Sequence, residues 1–163
     1  MRSAQELQFT THDGSPLFYR YWPANGTSAG GPRAIVLLHR GHEHSGRLQH
    51  VVDELDLADF AMFAWDARGH GHSPGPRGDS PSFAALVKDL DCFVRHIGEQ
   101  HRIVSANVAV VGQSVGAVIA ATWAHDFAPQ VRCLVLTAPA FQIKLYVPLA
   151  RPGLALIKRL FGN

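Results

Sequence analysis

The residues with the clearest chemical potential lie in one short turn with the spacing G-x-S-x-G, made of Gly112, Gln113, Ser114, Val115 and Gly116. The apolar run 108–111 precedes this turn, and an alanine- and valine-rich segment with helical character follows it. Between a strand and a helix, glycines two residues before and after a serine remove the Cβ atoms that would collide with neighbouring backbone. The pattern predicts a nucleophile elbow that presents the hydroxyl of Ser114 for acyl transfer.

Two other interpretations of this glycine-rich turn are less favoured by its spacing. A dinucleotide-binding G-x-G-x-x-G loop would need a glycine at position 114, and no G-x-x-x-x-G-K-[ST] motif occurs in the chain. A helix start that Ser114 caps, with glycines used only for packing, would have no catalytic role. The position of the turn between a strand and a helix favours the elbow.

A second group of polar residues, His39 to Arg47, follows the third predicted strand with the sequence HRGHEHSGR. An oxyanion hole needs two backbone N–H groups, and a glycine lets the backbone approach a substrate carbonyl closely. We therefore predict the amide of Gly41 as one donor, with that of Arg40 as the alternative, and the amide of Val115 as the other. The histidines of this loop, including His39 as a base, could serve chemistry, but structural hydrogen-bonding roles are favoured and their spacing does not fit a metal site.

A third loop, Asp66 to Ser73, carries two glycines and two histidines. Its glycines could form a phosphate nest, and His70 and His72 could form a metal pair. A tight turn in which backbone amides donate hydrogen bonds to the Asp66 carboxylate explains the same residues, and we favour it. No metal site is predicted in this chain.

Hydrophobic periodicity predicts the elements that position these loops. The predicted strands lie at 6–11, 17–22, 34–39, 60–65, 108–111 and 131–136, and the predicted helices are one that Ser45 caps and that reaches Leu55, one from Pro81 to Ile97, and one from Val115 to Ala128. Strands that alternate with helices predict an α/β fold with a mostly parallel sheet, an antiparallel N-terminal hairpin and helices on both faces.

The three motifs, in this order, resemble the α/β-hydrolase superfamily, and most closely its monoacylglycerol lipase and lysophospholipase-like branch, also catalogued as the serine aminopeptidase S33 group. The resemblance covers the chain from the opening hairpin to about Phe141. It implies that Ser114 is the nucleophile and that the amides of Gly41 and Val115 form the oxyanion hole. It also implies a small-molecule or lipid carboxylic ester as substrate, acylglycerol or lysophospholipid-like, and no cofactor.

The chain departs from the pattern of this family at three positions. Arg40 stands where a glycine is usual, Gln113 where a histidine is frequent, and Ala117 where a glycine often follows the elbow. Arg40 would lie at the rim of the predicted site, so this departure bears on the class of substrate.

The acid and base of a catalytic triad are not identifiable in this sequence. In α/β-hydrolases an acid and then a histidine follow the serine, but after Ser114 the chain has only His125 and Asp126, in the reverse order. The six predicted strands also fall short of the eight of the family. We therefore expect residues 1–140 to be the N-terminal part of a hydrolase core, truncated before its last strands, and residues 141–163 to begin a cap or lid segment.

An alternative to an active enzyme follows from the missing base, because an unactivated serine hydroxyl is a weak nucleophile at neutral pH. In this alternative the chain is a catalytically inert α/β fragment or a partner-binding module. It could also be the hydrolase part of a hydrolase-methyltransferase fusion.

Composition excludes several other classes of protein. The 163 residues are 47% hydrophobic and 17% charged, with 15 Lys and Arg against 13 Asp and Glu, which is typical of a globular chain with one core. Without a basic stripe, nucleic acid is not a predicted partner. The polar N-terminus and the lack of a long apolar stretch predict a cytoplasmic protein, with at most weak contact of the cap segment with a membrane surface. Cys92 and Cys133 lie in apolar runs and are predicted to be buried free thiols.

Overall fold

The computed structural model describes residues 2–141 together with residues 156, 157, 159 and 160. The strands are β1 (Gln5–Thr10), β2 (Pro16–Trp22), β3 (Arg33–Leu38), β4 (Phe60–Trp65), β5 (Val108–Gln113) and β6 (Cys133–Thr137), and the helices are α1 (Gln49–Leu55), α2 (Phe83–His101) and α3 (Val115–Phe127), with short 3-10 turns at Ser45–Leu48 and Ser105–Asn107. Each predicted strand and helix is present, in the predicted order.

The six strands form one sheet in the order β1-β2-β4-β3-β5-β6. β2 pairs antiparallel with β1 and β4, whereas β3 pairs parallel with β4 and β5, and β5 pairs parallel with β6. The predicted mostly parallel sheet with an antiparallel N-terminal hairpin is confirmed. Leu38 pairs with Gly112 and Gln113 pairs with Thr137, so the loops that follow β3, β5 and β6 leave the sheet at one edge. Open α/β sheets bind ligands at this edge.

Helices cover both faces of the sheet, as predicted, and each face has its own apolar core. On one face, Phe93 of α2 and Trp123 of α3 pack in a cluster with Val36 of β3. On the other face, Val52 of α1 belongs to a cluster with Met62 of β4. Burying one side chain of this size stabilises the fold by about 1.5–3 kcal/mol. The two cores therefore hold the strands whose ends carry the candidate residues.

The start of α2 differs from the prediction. The sequence predicts Pro81 as the first helical residue, but the helix begins at Phe83. The reason is that the hydroxyl of Ser82 accepts a hydrogen bond from the amide of Ala85 at 3.1 Å, which makes Ser82 the cap.

The helix cap predicted at Ser45 is also wrong. Ser45 begins the 3-10 turn that leads into α1, and the ring of His44 caps this turn by accepting a hydrogen bond from the amide of Gly46 at 3.2 Å. The hydroxyl of Ser45 is engaged elsewhere, because it accepts a hydrogen bond from the guanidinium of Arg20 at 2.8 Å.

Strand β6 lies at one edge of the described sheet and is largely exposed. Val135 has an exposed fraction of 44% and Leu136 one of 38%. Cys133 is exposed and Cys92 is half-buried, so the prediction of buried thiols is wrong for Cys133 and is met only in part by Cys92. The physical reason is that, within residues 2–141, no further strand pairs with β6.

The predicted cap segment, residues 141–163, lies almost entirely outside the described residues, and so does its predicted contact with a membrane surface. None of the helices that the structure describes combines the length and the hydropathy that a membrane span requires.

Candidate functional site

The turn between β5 and α3 is strained in the way that a nucleophile elbow requires. Ser114 lies at φ 54° and ψ −116°, a conformation that residues with side chains rarely adopt. A Cβ atom at Gly112 would lie 2.6 Å from the carbonyl oxygen of Gly116. A Cβ atom at Gly116 would lie 2.8 Å from the carbonyl oxygens of Leu38 and His39. Only glycine allows β3, β5 and α3 to approach this closely around the serine.

Backbone hydrogen bonds hold Ser114 between β6 and α3. Its amide donates to the carbonyl oxygen of Thr137 at 3.0 Å, and its carbonyl oxygen accepts from the amide of Val118 at 3.3 Å. The residue is half-buried, and within residues 2–141 no side chain hydrogen-bonds to its hydroxyl. His125 and Asp126 lie at the far end of α3, where they pair with each other at 2.7 Å on the surface. The described residues therefore fix the backbone of the serine, whereas its hydroxyl has no hydrogen-bonded base within residues 2–141.

The two predicted oxyanion-hole residues lie on segments that approach each other. A Cβ atom at Gly41 would lie 3.9 Å from Cγ1 of Val115, so the loop after β3 packs against the first turn of α3. In residues 2–141, no loop or turn hydrogen bond uses either amide. Two N–H groups near the start of a helix are suited to stabilise a developing negative charge.

The histidine that follows β3 has a structural role, as predicted. His39 has an exposed fraction of 4%. Its Nδ1 donates to the carbonyl oxygen of Arg40 at 2.7 Å, and its Nε2 accepts from the amide of Ala67 at 3.1 Å. Because both ring nitrogens are engaged, His39 cannot accept a proton from Ser114. Burial lowers the pKa of His39, which keeps the ring neutral.

We expect His39 to make the free energy of unfolding depend on pH. Because burial lowers its native pKa below the ordinary value of 6.5, the unfolded chain binds the proton first as the pH falls. The stability that the neutral ring contributes is complete above about pH 6.5 and is lost progressively as the pH falls below that value toward the native pKa. Urea unfolding at several pH values between about 7.5 and 5 measures this dependence.

Comparison with the variant His39→Gln shows whether this ring causes the pH dependence of the free energy of unfolding. Burial also lowers the pKa values of His96 and His101, but these residues are common to both proteins. We expect the free energy of unfolding to fall less steeply with decreasing pH in His39→Gln. Equal slopes in the two proteins would contradict the prediction.

The carboxylate of Asp66 joins the loop after β4 to the loop after β3. Oδ2 accepts from the amide of His72 at 2.8 Å, Oδ1 accepts from the amide of Ser45 at 2.6 Å, and Asp66 is fully buried. The predicted turn around this carboxylate is confirmed. The bond to Ser45 adds a function that the sequence does not reveal, because Ser45 belongs to the loop that carries Gly41. In the described part of the chain, no group of three or more His, Cys, Asp or Glu side chains could hold a metal ion.

A buried ion pair, which was not predicted from the sequence, holds the next part of the same loop. The guanidinium of Arg68 donates to both carboxylate oxygens of Asp89 on α2, at 2.6 Å and 2.7 Å. It also donates to Asp13 at 2.9 Å and to Ser15 at 3.0 Å in the turn between β1 and β2. The hydrogen bonds to Asp89 are the largest cause of the raised pKa of Arg68, and the bond from Arg68 lowers the pKa of Asp13 well below its usual range.

A cavity of about 200 Å³, which we call the elbow cavity, opens beside these loops. Its apolar walls include Trp65, Leu86 and Ile119, and it is also lined by Gly41 and Val115. Concave, mostly apolar spaces of this kind bind small organic groups. The elbow cavity therefore places an apolar binding space next to both predicted oxyanion-hole residues.

Comparison with known proteins gives the family context of this site. The model of the serine aminopeptidase S33 family matches residues 31–163. The uncharacterized protein YnbC of Escherichia coli strain K12 is 60% identical over 154 residues, which are 94% of this chain and 26% of that protein. The monoglyceride lipase of Homo sapiens is 33% identical over 129 residues, which are 78% of this chain and 40% of the lipase. The chain thus spans less than half the length of these relatives.

Solved structures share the fold. The α/β-hydrolase GrgF from Penicillium sp. sh18 matches with a TM-score of 0.79 at 20% identity, over 96% of this chain and 53% of that chain. At this level of identity the similarity shows the fold alone. The predicted α/β-hydrolase fold is therefore confirmed.

Proposed function

Because the chain belongs to the serine aminopeptidase S33 family of α/β-hydrolases, we propose that it carries the nucleophile of a serine hydrolase that cleaves carboxylic esters through an acyl-enzyme on Ser114. The observation that carries this proposal is the strained elbow. Ser114 lies at φ 54° between Gly112 and Gly116, next to the segment where Gly41 approaches Val115. In this proposal the hydroxyl of Ser114 attacks a carbonyl group whose oxygen the amides of Gly41 and Val115 bind.

In the proposed reaction, Oγ of Ser114 bonds to the carbonyl carbon of the ester while the hydroxyl proton passes to a general base. The oxygen of the tetrahedral intermediate accepts hydrogen bonds from the amides of Gly41 and Val115. The bond to the alcohol then breaks, and the alcohol leaves with the proton from the base. Water attacks the acyl-enzyme in the same way, which releases the acid and restores the serine.

Within residues 2–141, no histidine hydrogen-bonds to the hydroxyl of Ser114, although His42 and His70 line the elbow cavity. His39 is held by two hydrogen bonds, and His125 lies at the far end of α3. We infer that a histidine from outside residues 1–163, oriented by an acid, supplies the base in the order typical of α/β-hydrolases. The small share of YnbC and of the human lipase that the chain spans supports this inference. In the proposal, residues 1–140 belong to the core, and residues 141–163 begin the cap.

The proposed substrates are acylglycerols and related lipid esters. The human relative is a monoglyceride lipase, and the apolar walls of the elbow cavity suit an acyl group. Gly41 and Val115 line this cavity. With the acyl group inside the cavity, the ester carbonyl would lie near the amides of these two residues.

Labelling with a fluorescent fluorophosphonate tests the nucleophile directly. The full-length gene product is treated with the probe, digested and analysed by mass spectrometry, with heat-denatured protein as the control for non-specific reaction. We expect one labelled peptide, with the phosphonyl group on Ser114, in the folded protein alone. Absence of labelling, or labelling of another residue, would overturn the assignment.

A second candidate function is a catalytically inert, partner-binding module. Two observations favour it: within residues 2–141 no side chain hydrogen-bonds to the Ser114 hydroxyl, and β6 leaves Val135 and Leu136 exposed. Assays with p-nitrophenyl butyrate separate the two functions, with both the 163-residue chain and the full-length gene product. Absence of turnover in both folded proteins would favour the inert module, whereas turnover by the full-length product would exclude it for the whole protein.

A further inference from the structure

Two depressions are lined by residues of the elbow and of the loop after β3. Gly41 and Val115 line the elbow cavity, whereas Arg40 and Gln113 line an open groove of about 670 Å³. Ser114 lies between Gln113 and Val115 in the chain, so each of its two neighbours lines one of the two spaces. We call the groove lined by Arg40 and Gln113 the arginine groove.

The arginine groove differs in chemistry from the elbow cavity because charged and polar side chains line it. The residues that line it include Arg40, Glu43, Arg47, Gln49, His50, Asp53 and Gln113. Both carboxylates of this lining have partners. Glu43 pairs with Arg40 at 2.8 Å, and Asp53 accepts hydrogen bonds from the side chain of Gln49 at 3.2 Å and from the amide of Arg2 at 3.3 Å.

The two guanidinium groups of the groove keep most of their hydrogen-bonding capacity. The side chain of Arg40 is 55% exposed, and its one ion pair uses a single terminal nitrogen. Arg47 is exposed, and within residues 2–141 its side chain forms no ion pair. A guanidinium carries five N–H donors in a planar arrangement that matches the oxygens of a phosphate. Glu43 and Asp53 balance the two arginines of the groove in formal charge, so the free N–H donors, and not a net positive charge, favour an anionic, multi-oxygen ligand over a neutral one.

We propose that the arginine groove binds a phosphate group on the alcohol arm of the substrate, with Arg40 and Arg47 as its ligands and the acyl arm in the elbow cavity. This inference rests on the proposed function, because it requires the ester to react at Ser114, whose chain neighbours line the two spaces. It makes the preferred substrate an acylated glycerol phosphate or a related phosphate-bearing ester instead of an uncharged monoacylglycerol. Arg40 and Arg47 are specificity residues in this proposal, since neither contacts the reacting carbonyl through its side chain.

The test compares two substrates that differ only in the phosphate, 1-decanoyl glycerol 3-phosphate and 1-decanoyl glycerol, with the full-length gene product. We expect a higher kcat/KM for the phosphate-bearing ester. Each of the variants Arg40→Gln and Arg47→Gln should lower the ratio of the two kcat/KM values by about tenfold, the effect of losing one charge-assisted contact of about 1.4 kcal/mol. Raising the salt concentration should lower the same ratio, because part of the groove is exposed.

Arg95→Gln is the matched control, because it removes an exposed arginine of α2 that does not line the groove. We expect this variant to leave the ratio unchanged. A ratio that is equally unchanged in Arg40→Gln and Arg47→Gln would overturn the proposal. A fall of the same size in Arg95→Gln would also overturn it, because the effect would then come from net charge and not from the groove.

Binding of decyl phosphate separates a failure of this inference from a failure of the proposed function. Calorimetric titration of Ser114→Ala with decyl phosphate, and with decyl glucoside as the uncharged control, needs no turnover. We expect decyl phosphate to bind more tightly, and Arg40→Gln in the same background to weaken its binding by about tenfold. If fluorophosphonate fails to label Ser114 while this pattern persists, only the catalytic assignment fails. If the fluorophosphonate labels Ser114 but decyl phosphate binds equally well to Ser114→Ala with and without Arg40→Gln, the proposed phosphate site is wrong and the catalytic assignment stands.

Discussion

The variant Ser114→Ala is expected to lower kcat for p-nitrophenyl butyrate hydrolysis by the full-length gene product by about 10⁴-fold or more, because the acyl-enzyme can no longer form. The expected change in the free energy of unfolding is small, within about 0.5 kcal/mol. The reason is that within residues 2–141 no side chain hydrogen-bonds to the hydroxyl, and alanine has the same difficulty as serine at φ 54°. Initial rates and urea unfolding measure the two effects.

Ser105→Ala provides the control for this prediction. Ser105 is exposed in the short 3-10 turn before β5, away from the elbow. Its replacement should leave both kcat and unfolding unchanged. Hydrolysis by Ser114→Ala at a rate within tenfold of the unmodified protein would show that another group is the nucleophile, and the elbow would then have a structural role only.

The second large effect is expected from Asp89→Ala, which should destabilise the fold by about 3–5 kcal/mol. Asp89 has an exposed fraction of 0% and accepts two hydrogen bonds from Arg68. Its removal leaves Nε of the buried Arg68 without its acceptor, and the partly exposed carboxylate of Asp13 is then the remaining charged partner of the guanidinium. Because Arg68 lines the elbow cavity, we also expect ester hydrolysis to fall. Urea unfolding measures the change in stability.

A double variant distinguishes loss of the ion pair from loss of packing. In Arg68→Met/Asp89→Leu both charges are gone, so the cost should be smaller than that of Asp89→Ala alone. Asp13, which also accepts a hydrogen bond from Arg68, is partly exposed and can be hydrated when the arginine is absent. A double variant at least as unstable as the single variant would mean that packing, and not the uncompensated charge, dominates.

Most of the fold could be predicted because its determinants are local. The buried runs at β3, β4 and β5 read as strands, and the apolar stripe of α2 reads as a helix, whatever the rest of the chain does. The errors occur where a neighbouring polar group competes. Ser82 caps α2 in place of the predicted start at Pro81, and Arg20, from a distant strand, engages the hydroxyl of Ser45. Such competition depends on contacts that a linear pattern does not contain.

The candidate site also combines a feature that local sequence predicts with one that depends on distant contacts. The elbow could be predicted because Gly112 and Gly116 act on a serine two residues away, and the Cβ positions show why no other residue fits. The pairing of Arg68 with Asp89 could not be predicted from local spacing, because the two residues lie 21 positions apart on different elements. One signal was present: Asp89 lies three residues after Leu86, and an acid on the apolar side of a helix needs a buried partner.

The order of the strands in the sheet has a consequence for synthesis on the ribosome. β3 is central, between β4 and β5, yet β5 is translated only after residues 66–107. At about 5–20 residues per second, one side of β3 therefore remains without its partner for several seconds. Apart from its first residue, Arg33, β3 is apolar throughout and fully buried in the finished sheet. The nascent chain thus exposes an unpaired apolar strand edge at a defined stage of synthesis, and edges of this kind promote pairing with other chains.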